Sequence, residues 1–449
     1  MQNVIEPAVT LETLGEKYVS LTGGTVLGIY PHLASIYRGD VRRIVNLDAA
    51  QVLRMCDGRR KASEVAGSLS PSEEERRKIL EFLLTAVENG DVVVSDTPIN
   101  APFEVAEHDY ILPSHVVFEL TENCNLNCAH CYRIKERAPL YMPLEAFKRI
   151  IDFLSEPLLV GIELTGGEPT LHPNFVEIVE YAAERLELVG VLTNGLYLPP
   201  GTIEKLSSYM DKLFFSVSLD SHDPTFHDEF RGLKGAWKRT VENIKRLTDA
   251  GFNVRIAMTI VPENIDHVEK VAELAVELGV KMFTYSPMLP FGRADGFTWS
   301  NEDLWRISEV DKRVRRRFSG VIPVARMEEL EASLGNCGAG WRSVTIGPDL
   351  SVRMCVVSDP ERDVLFRLDP KRPEESFRNA REKLAFFYGI RAPGPWICGN
   401  CRFLSFCTPC VLRARYVLEK GLIAPEECRW ASTIGIGALK KYLQVKTDG

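Results

Sequence analysis

Nowhere in these 449 residues does an apolar run approach the length needed to cross a bilayer. The opening Met-Gln-Asn-Val-Ile-Glu lacks the basic and apolar regions of a secretory signal, so a cytoplasmic protein with no membrane partner is expected. Basic charge is scarce too: the formal net charge is −8, which argues against a general nucleic-acid binder. The one basic stretch, residues 312–317, is interrupted by Val314 and reads as the solvated face of a helix. The first hundred residues hold no catalytic constellation. The remaining composition, 45% hydrophobic and 26% charged, is that of a soluble protein with real cores. The length suits about three domains.

Cysteine is the residue type that stands out. Cys124, Cys128 and Cys131 come from one compact loop, Thr-Glu-Asn-Cys-Asn-Leu-Asn-Cys-Ala-His-Cys-Tyr. Three thiolates around a four-iron cluster leave one iron open to a small molecule, whereas four would close the site. Structural zinc is the plainer alternative, but it wants four ligands, and only His130 or His172 offers a nearby fourth. Downstream, Glu163-Leu164-Thr165-Gly166-Gly167-Glu168-Pro169 follows the apolar segment 158–162. Two glycines let the backbone approach a ligand closely, and Glu168 can receive an ammonium group. Seven further cysteines crowd the last quarter: Cys337, Cys355, Cys398, Cys401, Cys407, Cys410 and Cys428. Without a secretory start, the C-x2-C-x5-C-x2-C run reads as metal binding rather than a disulfide framework. Cys56, beside Val52 and Leu53 on an amphipathic helix, reads as a core residue.

Strand candidates fall at 116–120, 159–164, 189–193, 213–219, 254–261 and 282–286. Helical patterns alternate with them. One aligns Trp237, Val241, Ile244 and Leu247 and ends near Gly251; another aligns Val268, Val271, Leu274, Ala275 and Leu278 and ends at Gly279. Six alternations predict an α/β fold built as an open, partial (β/α)6 barrel of TIM type. Barrel active sites lie at the C-terminal ends of the strands. The cysteine loop, the Gly-Gly-Glu-Pro turn, Thr193-Asn194-Gly195, Ser218-Leu219-Asp220 and Pro287-Met288-Leu289-Pro290 all fall there.

In their order these motifs resemble the radical S-adenosylmethionine (radical SAM) superfamily. The resemblance implies that the open iron is chelated by the amine and carboxylate of the cofactor's methionine. It carries the amine-binding turn over to Gly166, Gly167, Glu168 and Pro169. It also implies cofactor contacts for His130, Asn194, Ser218, Arg231 and the backbone at Leu289, with His130 near adenine and Arg231 facing the carboxylate. The C-terminal cysteines resemble the SPASM extension, which carries two auxiliary four-iron clusters. By that pattern Cys398, Cys401, Cys407 and Cys428 bind the outer cluster, and Cys337, Cys355 and Cys410 the inner one. Two departures stand out: Leu350 occupies a usual glycine position, and Cys407 to Cys410 is one residue short, leaving open which cluster Cys410 serves. Val356 replaces an acidic residue expected of sulfatase-type maturases, which points away from them.

Near the N-terminus, β-like segments at 26–29 and 34–37 precede a helix from about Asp48 to Cys56, broken by Asp57-Gly58. A second helix covers 62–69. A third is expected to open at Ser70 as cap, with Pro71 in its first position and Glu73 completing a capping box. Strands followed by three helices suggest a winged helix. The stretch from Asn46 to Arg60 resembles the PqqD-like peptide-recognition element, which binds leader peptides by strand addition. The expected domains are 1–100 (peptide recognition), 101–320 (radical SAM barrel) and 321–449 (SPASM). Together these resemblances imply a maturase that cleaves SAM to a 5′-deoxyadenosyl radical and modifies a precursor peptide or protein. A flavodoxin- or ferredoxin-type donor would reduce it. The alternatives are a small-molecule enzyme of haem-precursor or quinone type, and a zinc-binding regulator using the winged helix on DNA.

Overall fold

The computed structural model describes residues 9–39, 41–133, 140–155, 159–326 and 337–443, so the opening residues read for a targeting signal lie outside it. The chain divides into two compact units, one reaching Leu112 and the other beginning at Pro113. Among the described residues no helix is long and apolar enough to cross a membrane.

The first unit has strands β1 (Tyr18–Leu21), β2 (Val26–Ile29), β3 (Ala34–Arg38), β4 (Val41–Val45), β5 (Asp57–Lys61), β6 (Val92–Ser95) and β7 (Glu104–Glu107). They form a three-stranded sheet, β5-β1-β6, and a four-stranded one, β4-β3-β2-β7. Helices Leu47–Arg54, Ala62–Leu69 and Glu73–Glu88 pack their apolar faces into one core with Val19, Leu21 and Leu27. Asn46 starts the first helix by accepting the Ala49 N–H at 2.8 Å. Cys56 is fully buried in this core, as expected, and its thiol donates to the Val52 carbonyl at 3.3 Å.

Two local expectations change. Asp57-Gly58 is not a mere break, because Asp57–Lys61 pairs with β1 as an edge strand. The third helix starts at Glu73 with Ser72 as its cap, its hydroxyl accepting the Glu75 N–H at 3.4 Å. Ser70 instead bonds the Glu75 carboxylate. The stretch holds two overlapping cap signals, Ser70 to Glu73 and Ser72 to Glu75, and the later one wins.

The second unit is built on a ten-stranded sheet. Its strands are β8 (His115–Thr121), β9 (Gly161–Gly166), β10 (Leu188–Thr193), β11 (Leu213–Ser218), β12 (Asn253–Ile260), β13 (Met282–Pro287), β14 (Val324–Arg326), β15 (Ser343–Ile346), β16 (Ser351–Arg353) and β17 (Val364–Arg367). They lie in the order β14-β13-β12-β11-β10-β9-β8-β15-β16-β17. From β8 to β14 every neighbouring pair is parallel. All six expected strands are present, with helices between them. The helix Ala236–Asp249 buries Ile244 and Leu247, and Val268–Glu277 buries Val271 and Ala275. Along β12, buried Val254, Ile256, Met258 and Ile260 alternate with Arg255, Ala257 and Thr259 on the opposite face. In the basic stretch, Lys312, Arg313, Arg315 and Arg317 each meet an acidic partner on the helix surface.

The strands beyond the expected six extend the sheet at both edges. β14 adds beside β13, and the C-terminal hairpin joins through β15, which runs parallel to β8. The turn into β16 is closed by the Gly347 N–H on the Ser351 carbonyl at 2.9 Å, with Leu350 at φ +62°. Among the described residues it is the one non-glycine in the left-handed region. The turn is therefore kept despite the missing glycine, at a steric cost of about 1–2 kcal/mol. Leu350→Gly should raise stability by about 0.5–1 kcal/mol once the greater freedom of the unfolded glycine chain is subtracted. Equilibrium denaturation measures this, and Leu350→Ala, which keeps the strain, should not reproduce the gain.

Candidate active site

The cysteine loop begins where β8 ends, and the glycine turn leaves β9 directly against it. The Gly167 N–H donates to the Thr121 carbonyl and the Glu168 N–H to the Asn123 carbonyl, both at 2.7 Å. Gly166 sits at φ +134°, and a Cβ there would fall 2.3 Å from the Thr121 oxygen. A Cβ on Gly167 would fall 2.2 Å from the Asn123 oxygen. Neither position admits a side chain without prising the two loops apart. Glu168 is buried and fastens the next strand: its Oε1 accepts from the hydroxyls of Thr193 (2.6 Å) and Thr170 (2.7 Å) and from Thr170 N (3.2 Å). Its Oε2 accepts from Asn194 N at 2.8 Å. Burial still pushes the carboxyl above its ordinary range, against these four donors. With three of those bonds on Oε1, it is Oε2 that retains room for a further donor.

The cysteines are surrounded by charge. Burial raises the Cys128 thiol, and the Arg231 Nη1, 3.8 Å from its sulfur, opposes that rise. Arg231 in turn gives Nε to Asp220 Oδ2 at 2.5 Å, while Asp220 Oδ1 accepts the Thr259 N–H at 2.9 Å. Burial works against the Asp220 charge, but Arg231, with His130 and His227 behind it, holds the carboxyl below its usual range. His130 stacks on Phe230 with ring centroids 4.2 Å apart and 13° between planes. Burial, helped by Arg231, lowers its pKa to about 4, so the ring is neutral, and its Nδ1 is buried without a partner. The Asn194 Nδ2 lies 4.0 Å from Cys124 Sγ and 2.8 Å from Asn125 Oδ1. Arg293 closes the other side, donating Nη1 to the Cys128 carbonyl and its N–H to the Cys131 carbonyl, both at 3.0 Å.

These groups border one cavity of about 980 Å³, at the upper end for a small-molecule site. Its wall includes the three loop cysteines, His130, Gly166, Gly167, Glu168, Asn194, Ser218 and Arg231. Pro169 and Leu289 are set back from it. The Leu289 carbonyl accepts the Phe291 N–H at 2.8 Å, and its neighbours Pro290 and Phe291 take the wall position. Sequence reasoning missed Asp220 and Arg293, although Asp220 stood inside a strand-end motif. The residues suit an iron cluster with SAM: three cysteines of one loop, a buried Glu168 oxygen with room for a further donor, and the unpartnered Nδ1 of His130.

The C-terminal cysteines gather as well. Burial, followed by the charges of Cys428, Cys401, Cys398 and Cys410, pushes the Cys407 thiol to about 12. Cys410 thus lies in the same electrostatic neighbourhood as the four cysteines expected at the outer cluster. Its N–H donates to the Cys407 carbonyl at 2.6 Å, across the cis Thr408–Pro409 peptide. Cys428 caps the helix Arg429–Ile434, accepting the Ala431 N–H at 3.5 Å. Cys355 follows β16, and the Cys337 carbonyl accepts from Arg342 at 3.0 Å. Among the described residues no three His, Cys, Asp or Glu side chains stand close enough to share a single metal ion.

Residues 118–275 match the Radical SAM superfamily. The antilisterial bacteriocin subtilosin biosynthesis protein AlbA of Bacillus subtilis is 36% identical over 258 residues, 57% of each chain. The AdoMet-dependent heme synthase of Methanosarcina barkeri is 30% identical over 328 residues, 67% of this chain and 92% of the relative. Among solved structures, Streptococcus suis SuiB bound to S-adenosylmethionine shares the fold with a TM-score of 0.56 at 13% identity, covering 86% of this chain and 94% of that one. The chain therefore belongs to the radical SAM superfamily, and a four-iron cluster and S-adenosylmethionine are its cofactors.

The Asp220–Arg231 pair gives a direct test of the site's construction. Asp220→Asn should destabilise the fold by about 3–5 kcal/mol, because it leaves a buried guanidinium uncompensated. Denaturant titration of the variant against the parent reads this loss.

Proposed function

We propose that this protein is a radical SAM/SPASM maturase that modifies a ribosomally made precursor peptide or protein. The observation that carries the reading is the shared cavity. One wall holds the three-cysteine loop and the glycine turn, and the other is built from Arg353, Val357, Ser358 and Leu412, which flank Cys355 and Cys410. When bound, the cluster and SAM supply one-electron cleavage to methionine and a 5′-deoxyadenosyl radical, which takes a hydrogen atom from the substrate. Cys124, Cys128 and Cys131 would hold the cluster. Gly166, Gly167 and Glu168, with Pro169 shaping the turn, would receive the methionine amine. Arg231 would face its carboxylate, Ser218 and Asn194 would contact the cofactor, and His130 and the backbone at Leu289 would lie beside adenine. Cys398, Cys401, Cys407 and Cys428 would bind an outer auxiliary cluster, and Cys337, Cys355 and Cys410 an inner one.

The three-part division at 100 and 320 belongs to this reading, with a winged-helix-like recognition domain first and a SPASM domain last. A leader peptide would add to β4, which lies at an edge of its four-stranded sheet. Arg43 on that strand is anchored to Asp91 at 2.8 Å, which would brace the edge. Holding the leader there raises the local concentration of the residue to be modified. A flavodoxin- or ferredoxin-type donor would supply the electron. The names of relatives support a peptide substrate through the bacteriocin biosynthesis protein, of whose length the chain spans 57%. The heme synthase, covered over 92% of its length, favours a second reading as a small-molecule enzyme.

Anaerobic reconstitution should load about twelve irons per chain, as three four-iron clusters. Replacing Cys124, Cys128 and Cys131 together by Ala should remove about four of them and abolish SAM cleavage; cleavage that persists would sink the radical mechanism. Removing residues 1–100 separates the two substrate readings. A maturase should lose turnover of co-encoded peptides, followed by mass spectrometry, whereas a small-molecule enzyme should keep its activity.

A further inference from the structure

One buried charge group on the cavity wall has been given no chemical role in this scheme. Glu119, on β8, is 1% exposed and forms ion pairs with both Arg353, also 1% exposed, and Arg133, 12% exposed. Arg133 follows Cys131 by two residues, and Arg353 precedes Cys355 by two. The group thus ties the chain leaving the first cysteine loop to the strand entering the second cysteine region. Arg353 Nη1 also donates to the Ser358 carbonyl at 3.0 Å. That bond closes the turn in which the Ser358 N–H reaches the Cys355 carbonyl at 3.0 Å and the Cys355 N–H reaches the Ser358 hydroxyl at 3.2 Å.

Within the group one carboxylate faces two guanidiniums, so the three side chains together carry a positive charge. Of the neighbouring acids, Asp359 also acts on Arg133 and accepts the backbone N–H groups of Glu361 and Arg362, whereas two others are paired with arginines of their own. Asp349 pairs with Arg367 at 2.8 Å, and Asp363 with Arg415 at 2.7 Å. In a buried setting such a charge is weakly screened and acts over several ångströms. Reducing an iron cluster adds one electron and no proton, so a nearby positive charge stabilises the reduced form more than the oxidised one.

We propose that Glu119, Arg133 and Arg353 set the reduction potential of the cluster at Cys355. The inference rests on reading Cys337, Cys355 and Cys410 as cluster ligands. In this role the group acts through the cluster rather than on substrate or SAM, although its three residues also line the cavity: Arg353 positions the Cys355 turn, and the group's charges tune what that turn holds.

The test is a redox titration of the reconstituted full-length enzyme followed by electron paramagnetic resonance. The signal lost in Cys355→Ala identifies the cluster to be watched. Glu119→Gln removes a negative charge and should shift its midpoint upward. Arg133→Gln removes a positive charge and should shift it downward, whereas Arg133→Lys keeps the charge and should leave it at the native value. Should Glu119→Gln fail to fold, with two buried guanidiniums unpaired, the two Arg133 variants decide alone. An unmoved midpoint in Arg133→Gln, or the same shift in both Arg133 variants, overturns the proposal. If Cys355→Ala costs the enzyme no iron, the ligand reading falls and the proposal with it.

Discussion

Two main-chain hydrogen bonds carry the architecture of the site. The N–H groups of Gly167 and Glu168 donate to the carbonyls of Thr121 and Asn123, so the loop after β8 is held by the turn after β9. The contact is close enough that only glycine fits at 166 and 167. From there Glu168 reaches Thr193 and Asn194, and Asn194 returns to Cys124 and Asn125. Three successive strand ends are thereby locked to one another with the cysteine loop between them. The sheet supplies a rigid base, and the side chains that meet the cavity inherit its precision.

Charge is handled with the same economy of partners. Arg231 is buried between Asp220 and the Cys128 sulfur, and its pairing with Asp220 lets a cation survive where water is excluded. A thiolate that ligates iron benefits from such a neighbour, because the charged form is otherwise disfavoured by burial. His130 illustrates the opposite outcome. Its imidazole, stacked on Phe230 and close to Arg231, stays neutral. A flat, uncharged ring beside the third cysteine is suited to packing rather than proton transfer.

Much of this was legible in the sequence, for identifiable reasons. The six expected strands of the parallel sheet are apolar runs bounded by turn residues, and the helices between them carry clear 3.6-residue periodicity. The cysteine and glycine motifs are local and need no fold to be seen. What escaped was short or non-local. Strands β14, β15 and β16 have only three or four residues, too few for a pattern. The Asp220–Arg231 pair spans a turn and a helix, so adjacency appears only in three dimensions. Glu119 left a usable clue: a carboxylate inside Val116-Val117-Phe118-Glu119-Leu120 has no place in an all-apolar strand unless it finds a buried cation. The start of the helix at Glu73 was misplaced because two serines offered similar caps within three residues.

The pairing of β15 with β8 has a consequence for biosynthesis. β8 is the first strand of the parallel sheet to emerge from the ribosome, yet its partner on one side begins at Ser343, roughly 220 residues later. At about 5–20 residues per second, that edge stays unpaired for something like 10–45 seconds while the rest of the sheet forms. An apolar strand with an open edge is an invitation to pair with the wrong chain. Order of synthesis thus becomes a timetable, in which the interval before β15 arrives is the period of greatest risk.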